Sequence, residues 1–353
     1  MPSPGDLPGE GHARAAASSS GGAILRPIAL FALLLPVAIV AGLLAGAEPV
    51  SPFRALADPA SLDRVILLDI RLPRVLLAAL SGGGLAAVGA AFQALLRNPL
   101  AEPYVLGVSG GAALGATLAI ALGVAATSVI GAALVPAAAL IGGLGATVLV
   151  YGIARDAASG SSGTSILLAG VMVNSIAAAL ITFLKTLVSP SRAQQLLRWL
   201  TGFIDLPTST GLAVVAIYVG GGALVLLLDA AHLNLLALGD ETAATLGVDV
   251  RRLERRVFLA SSAVVGAIVS VTGLIGFVGL VVPHALRRLL GPDHRRLLPC
   301  SILFGATALV GCDLLARLTF RFTGTEPPVG AVTALLGGPV FLALLRRSSR
   351  ASS

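Results

Sequence analysis

Apolar residues in this chain are not spaced at a helical or strand period; they run together in blocks. Uncharged stretches at 27–47, 75–96, 206–228 and 327–345 are each near the ~20 residues that carry a helix across a bilayer. The run 103–154 is also uncharged, over a length suited to two crossings, with Gly123 and the Thr127–Ser128 pair as the expected turn. Residues 157–184 supply a further span, and 297–316 another if Asp313 sits near its end.

One block does not fit a single crossing. From Val257 to Leu286 no charge occurs, and arginines bracket the run: Arg251, Arg252, Arg255 and Arg256 before, Arg287, Arg288, Arg295 and Arg296 after. If positive clusters stay inside, both ends are cytoplasmic and the run crosses twice. A rise of ~1.5 Å per residue gives it about 45 Å, too long for one crossing and too short for two full ones. A full helix followed by a short, broken one satisfies both limits. Gly273, Gly276 and Gly279 mark the break, and such irregular backbone is tolerated at membrane depth only where protein or a water-filled path covers it.

The fold class expected is therefore an all-α polytopic membrane protein of about ten transmembrane helices, including short broken ones, with both termini cytoplasmic. Composition agrees: 56% of the 353 residues are hydrophobic and 12% charged, more apolar surface than a soluble domain can hide. Residues 1–26, rich in Pro, Gly, Ser and Ala, read as a disordered cytoplasmic tail. A ten-helix transmembrane body is expected over 27–347, and 348–353 as a short cytoplasmic tail. The net charge of +7 does not point to nucleic acid, because the basic residues punctuate apolar spans. Most fall on the side assigned as inside, with an excess left outside that needs a use.

Chemistry-bearing residues are sparse. Cys300 and Cys312 share one span and read as small packing residues; the four histidines do not cluster, so no metal site is expected. Ion-coupled carriers keep ionisable groups at mid-membrane, whereas Lys185, Asp229 and Asp313 all fall near the ends of expected helices. Gln93, Asn174 and Ser175 are the polar mid-span residues, suited to interhelical hydrogen bonds. The only lysine is Lys185 and no GxxxxGK[ST] occurs. If ATP drives transport, ATP and Mg belong to a partner chain, and this chain binds no cofactor of its own. The long polar segment 232–256 could receive that partner. Asp240, Glu241 and Thr242 can start a short helix and Gly247 can end it. An ordinary solvated loop is the other reading of the same residues.

Six stretches in order, IRLPRVLLAAL (70–80), LLRNPLAEPYVLGVSGGAALGA (95–116), TSILLAGVMVNSI (164–176), LNLLALGDETAATLGVDVRRL (233–253), GLIGFVGLVVPHALRRLLGPDHRRLLP (273–299) and PPVGAVTALLGGPVFLALL (327–345), resemble the permease subunits of ABC importers for iron–siderophores, haem and vitamin B12. The resemblance covers nearly everything from 65 to 347. It implies a non-enzymatic subunit of the cell membrane, paired with a second copy or close paralogue, two ABC ATPases and an extracytoplasmic binding protein. It places Gly239, Asp240, Glu241, Thr242, Ala243, Leu246, Gly247 and Arg251, within 239–253, in the cleft of the ATPase. Asn98 and Leu100, with Gly163 and Thr164, match positions near a cytoplasmic gate. Arg71, Arg74 and Arg317 match arginines that receive acidic residues of the binding protein. The cargo implied is a metal chelate, most simply a ferric siderophore. A secondary, ion-coupled transporter is the alternative class, since it would need no ATPase. A membrane-embedded enzyme would need a His/Asp/Glu or Ser/Lys constellation, and none is found in the sequence.

Overall fold

The computed structural model describes residues 10–123, 129–157 and 162–351, and among them it contains helices and no strand. In chain order the helices are α1 (Glu10–Leu44), α2 (Pro52–Ala57), α3 (Leu62–Arg64), α4 (Leu72–Leu95), α5 (Val108–Ala121), α6 (Val129–Ala157), α7 (Ser162–Leu187) and α8 (Pro190–Thr201). They continue with α9 (Ser209–Leu228), α10 (Ala230–Leu236), α11 (Asp240–Thr245), α12 (Val250–Thr272), α13 (Val278–Leu290), α14 (His294–Thr323) and α15 (Val329–Ala351). Seven of the described helices are long and apolar enough to cross a membrane, and Val108–Ala121 and Val329–Leu344 are shorter apolar helices.

α4 is the axis of the bundle. Its residues from Ser81 to Leu95 are all buried, and the segment SGGGLAAVGAA lets neighbouring backbones come close. α14 packs along one side of it, α12, α13 and α9 along others, while α1 covers α14 and α5 packs on α6 and α7. At the closest crossing a Cβ on Gly89 would be driven into the carbonyl oxygen of Gly279 in α13, so only glycine fits there. Ahead of α4 the chain widens into a π-helical segment, Val65–Arg71. Pro73 has no N–H to bond back to residue 69, and a wider turn accommodates that missing link.

The break in the long run falls where the glycines lie. α12 stops at Thr272, residues 273–277 are non-helical, and α13 returns from Val278. Gly273 has φ +68, and Phe203 N donates to Thr272 O at 2.9 Å, so part of the exposed helix end is covered by the segment after α8.

Several expectations change. α1 begins at Glu10 rather than near residue 27, because the stretch HARAAA is composed of good helix formers; residues 1–9 of the expected tail lie outside the described residues. α15 continues to Ala351, through most of the expected 348–353 tail, and 352–353 lie outside the description. So does the turn expected at Thr127–Ser128, although Gly123 takes φ +75 just before it. α8 was not anticipated. It is amphipathic, with Leu196, Leu197 and Leu200 on one side and Gln194, Gln195 and Arg198 on the other, the pattern of a helix lying along an interface rather than across it. Asp313, expected near a helix end, lies within α14 and is fully buried.

Candidate coupling site and the charge clusters at the two bundle ends

One end of the bundle gathers the coupling segment, the turn after α4 and the starts of α12 and α14. Gly239 (φ +116) and Gly247 (φ +88) bracket α11, conformations that glycine adopts without strain. Ala243 is fully buried and Val248 nearly so, and Val248 N donates to Ala243 O at 3.0 Å, fixing the elbow to its base. The outer face carries Glu241, Thr242 and Leu246, the last 56% exposed, with Arg251 exposed in the first turn of α12. Asp240, expected to help start the helix, is its first residue but makes no cap. Its carboxylate instead pairs with Arg97.

A platform of part-buried polar bonds supports this elbow. Asp229, buried between α9 and α10, accepts from Arg256 at 2.9 Å and lies 3.2 Å from His232. Asn234 of α10 donates to Asp293 at 2.6 Å, while its carbonyl accepts from His294 N at 2.8 Å, tying α10 to the start of α14. Asp293 caps α14 by accepting from Arg295 N at 3.0 Å. Partial burial would raise its pKa, but the Asn234 and Arg295 N–H donors and the nearby Arg296 and Arg295 charges outweigh it. The carboxyl is held below its usual range.

Arg97 brings the expected gate to this segment. It follows the last turn of α4 in a left-handed conformation (φ +47), and its ion pair with Asp240 joins the Asn98–Leu100 turn to α11. Asn98 closes that turn by accepting from Leu100 N at 2.9 Å, leaving Leu100 46% exposed. Gly163 and Thr164 lie in the first turn of α7, and the Thr164 side chain lies outside the described residues. The polar mid-span residues act between helices as expected for two of three. Gln93 donates to Leu280 O at 3.3 Å; Asn174 donates to Tyr104 O at 2.7 Å and accepts from Gly110 N at 3.0 Å. Ser175 bonds back within α7, to Val171 O at 2.9 Å.

At the opposite end the three arginines expected to meet a binding protein are also bonded within the chain. Arg71 is buried and donates to the carbonyls of Leu43 at 2.8 Å, Leu44 at 3.1 Å and Glu48, covering the C-terminus of α1. Arg74 pairs with Asp313 at 2.8 Å and with Glu326. Arg317 sits 3.0 Å from Asp313 and donates to Gly42 O at 3.0 Å. The three arginines do converge, as expected of one site, but their charges are taken up within the chain because Asp313 and the end of α1 lie between them. Asp313 and Glu326 were the missed members. A lone acid inside an otherwise uncharged run is the signal that could have found Asp313. Among the described residues no group of three His, Cys, Asp or Glu is placed to hold a metal ion.

The model of the FecCD transport family matches residues 33–347. This chain belongs to the FecCD transport family. Relatives of the FecCD chain include the cobalamin import system permease protein BtuC of Halobacterium salinarum, 44% identical over 80% of this chain and 74% of that protein. The hemin transport system permease protein HmuU of Yersinia pestis is 39% identical over 84% of this chain and 88% of its own length. A solved inward-facing metal-chelate type ABC transporter superposes with a TM-score of 0.81 at 31% identity, covering 91% of this chain and 98% of that one. The FecCD membership and the apolar helices make this a membrane-integral transport protein.

Proposed function

We propose that this chain is the permease subunit of an ATP-binding-cassette importer of a metal chelate: a ferric siderophore, haem or cobalamin. Ten helices, α1, α4–α7, α9 and α12–α15, cross the cell membrane with both termini cytoplasmic. A second copy completes the path. ATP and Mg are held by a separate ATPase pair, and an extracytoplasmic binding protein delivers the chelate to the end carrying Arg71, Arg74 and Arg317.

The exposed face of α11 carries this reading. An apolar Leu246, 56% exposed and presented between two left-handed glycines on a base of buried Ala243 and Val248, is a knob shaped for a socket. Gly239 through Gly247, with Arg251, meets the ATPase cleft, and Asn98, Leu100, Gly163 and Thr164 form the constriction behind it. Docking at the other end acts through Arg74, the most exposed of the three arginines; a partner carboxylate would exchange for Glu326, whose side chain is 31% exposed.

Replacing 242–246 by a Gly/Ser linker tests the assignment. In vesicles holding the complete transporter, ATP hydrolysis stimulated by loaded binding protein should vanish while the permease still assembles. Unchanged stimulation would overturn the assignment.

A further inference from the structure

Two non-glycine residues take a positive φ among the described residues: Arg97 at +47 and Phe277 at +69. Left-handed backbone is costly for a side chain that size, and such strain persists only where surrounding bonds enforce it. Both residues are held by the same eight-residue segment, 97–104. At its start, Arg97 is ion-paired to Asp240 of the coupling helix. At its finish, the carboxylate of Glu102 accepts from Phe277 N at 3.0 Å and the Tyr104 hydroxyl accepts from Ile275 N at 2.9 Å. Those two N–H groups belong to the break between α12 and α13. Between the anchors, the Asn98 cap and the Ala101 N bond to Asn98 O at 3.0 Å keep the segment short and stiff, with Pro99 and Pro103 fixing two of its φ angles.

We infer that residues 97–104 are a tension strap: Arg97, Glu102 and Tyr104 are positioning residues that transmit displacement of the coupling helix to the helix break, and so set the state of the gate turn that the strap contains. This rests on the coupling reading of α11 and adds the route by which its motion reaches the membrane. The physical case is connectivity. A rigid element touching two mobile ones at defined atoms passes displacement between them, whereas a flexible loop would absorb it. The two ends differ in kind. The Arg97–Asp240 pair is exposed at 41% and 36% of its side chains, so it can break and re-form at little cost. The Glu102 and Tyr104 bonds are made to backbone N–H groups that have no helical partner, so they hold.

The test places single reporter cysteines at Leu246, Leu100 or Leu274 in the complete transporter, with Cys300 and Cys312 changed to alanine. Labelling by a maleimide is timed in the nucleotide-free and vanadate-trapped states. In the parent chain all three rates should change between states. Arg97→Asp should leave the change at 246 intact and shrink the changes at 100 and 274 by about fivefold or more, the lower range of measured coupling between sites. The charge swap Arg97→Asp with Asp240→Arg should restore them, which a merely structural loss would not. Glu102→Leu should silence 274 alone, whereas Glu102→Gln keeps an acceptor for Phe277 N and should behave as the parent. Persistence of the 100 and 274 changes in Arg97→Asp overturns the strap and leaves the coupling reading standing. A silent 246 in the parent chain overturns both.

Discussion

Asp313 should be the most destabilising single neutralisation at the end opposite the coupling segment. Its side chain is fully buried and is shared by Arg74 at 2.8 Å and Arg317 at 3.0 Å. Asp313→Asn keeps the shape and removes the charge, leaving two guanidinium groups without their common counter-ion. Removing one partner of a buried ion pair costs about 3–5 kcal/mol. Two features move the expectation to the low end: Arg74 keeps Glu326, and Arg317 keeps the carbonyls of Gly42 and Ala45. At about 2 °C per kcal/mol, the shallow slope of larger domains, a loss of about 3 kcal/mol lowers the unfolding midpoint by about 6 °C. Glu326→Gln is the control, because a partly exposed pair contributes about 0–1 kcal/mol and should shift the midpoint by no more than about 2 °C. The assay is thermal unfolding in detergent, read by a thiol-reactive dye as buried Cys300 becomes accessible. Replacing the whole cluster, with Arg74→Met, Asp313→Leu and Arg317→Met, should recover much of the loss, since no charge is then left buried alone. An Asp313→Asn midpoint no lower than that of Glu326→Gln would refute the reasoning.

Two further outcomes follow from other parts of the fold. Gly89→Ala should cost at least the ~1–3 kcal/mol of core overpacking, because the added methyl meets the Gly279 backbone rather than a side chain that can turn away; the fraction of monodisperse protein in size-exclusion chromatography reads this, and parent-like yield would contradict it. Asp293→Ala should cost about 1 kcal/mol through loss of the α14 cap. The Asp293 carboxyl is held below the ordinary aspartate value of 3.8, so its contribution is complete above that pH and lost as pH falls through the lower folded value; the parent and the variant should therefore converge only below about pH 4 in unfolding midpoints measured across pH.

What could be read from the sequence, and what could not, divides by physical cause. Lipid imposes long uncharged runs, so the long apolar helices were legible from residue type; thirty residues between arginine brackets called for a break, which the glycines placed between 273 and 279 and which the structure has at 273–277. The short helix α11 was legible from its end residues, since Asp240, Glu241 and Thr242 can start a helix and Gly247 can end it. Partnerships across the bundle were not. Nothing local to Arg74 says that an acid 239 residues away in its own chain takes up its charge. The same blindness hid Arg97 beside Asn98: its left-handed φ and its pairing with Asp240 are tertiary facts. α8 escaped because an interfacial helix sets a polar face of arginine and glutamine against an apolar one, and average hydropathy cancels the two.

The contrast between the two ends bears on how such a chain could move. At the end opposite the coupling segment, charges are buried, shared and tied to the terminal carbonyls of α1, so that separating α1, α4 and α14 there would strand ions in an apolar setting at several kcal/mol each. At the end that carries α11, the pair that ties α11 to the turn after α4 is exposed on both sides, Arg97 with Asp240, whereas Arg256 reaches a buried Asp229 in the platform beneath it. The exposed pair is worth about 0–1 kcal/mol, so it breaks and re-forms at less cost than the buried ones. A partner that presses on α11 therefore works against weak bonds at its own end and against a nearly fixed pivot at the other. Displacement is then concentrated where the backbone is already interrupted, in the Asn98–Leu100 turn and the 273–277 break, rather than spread through α4, whose glycine crossings leave no room to slide without a clash.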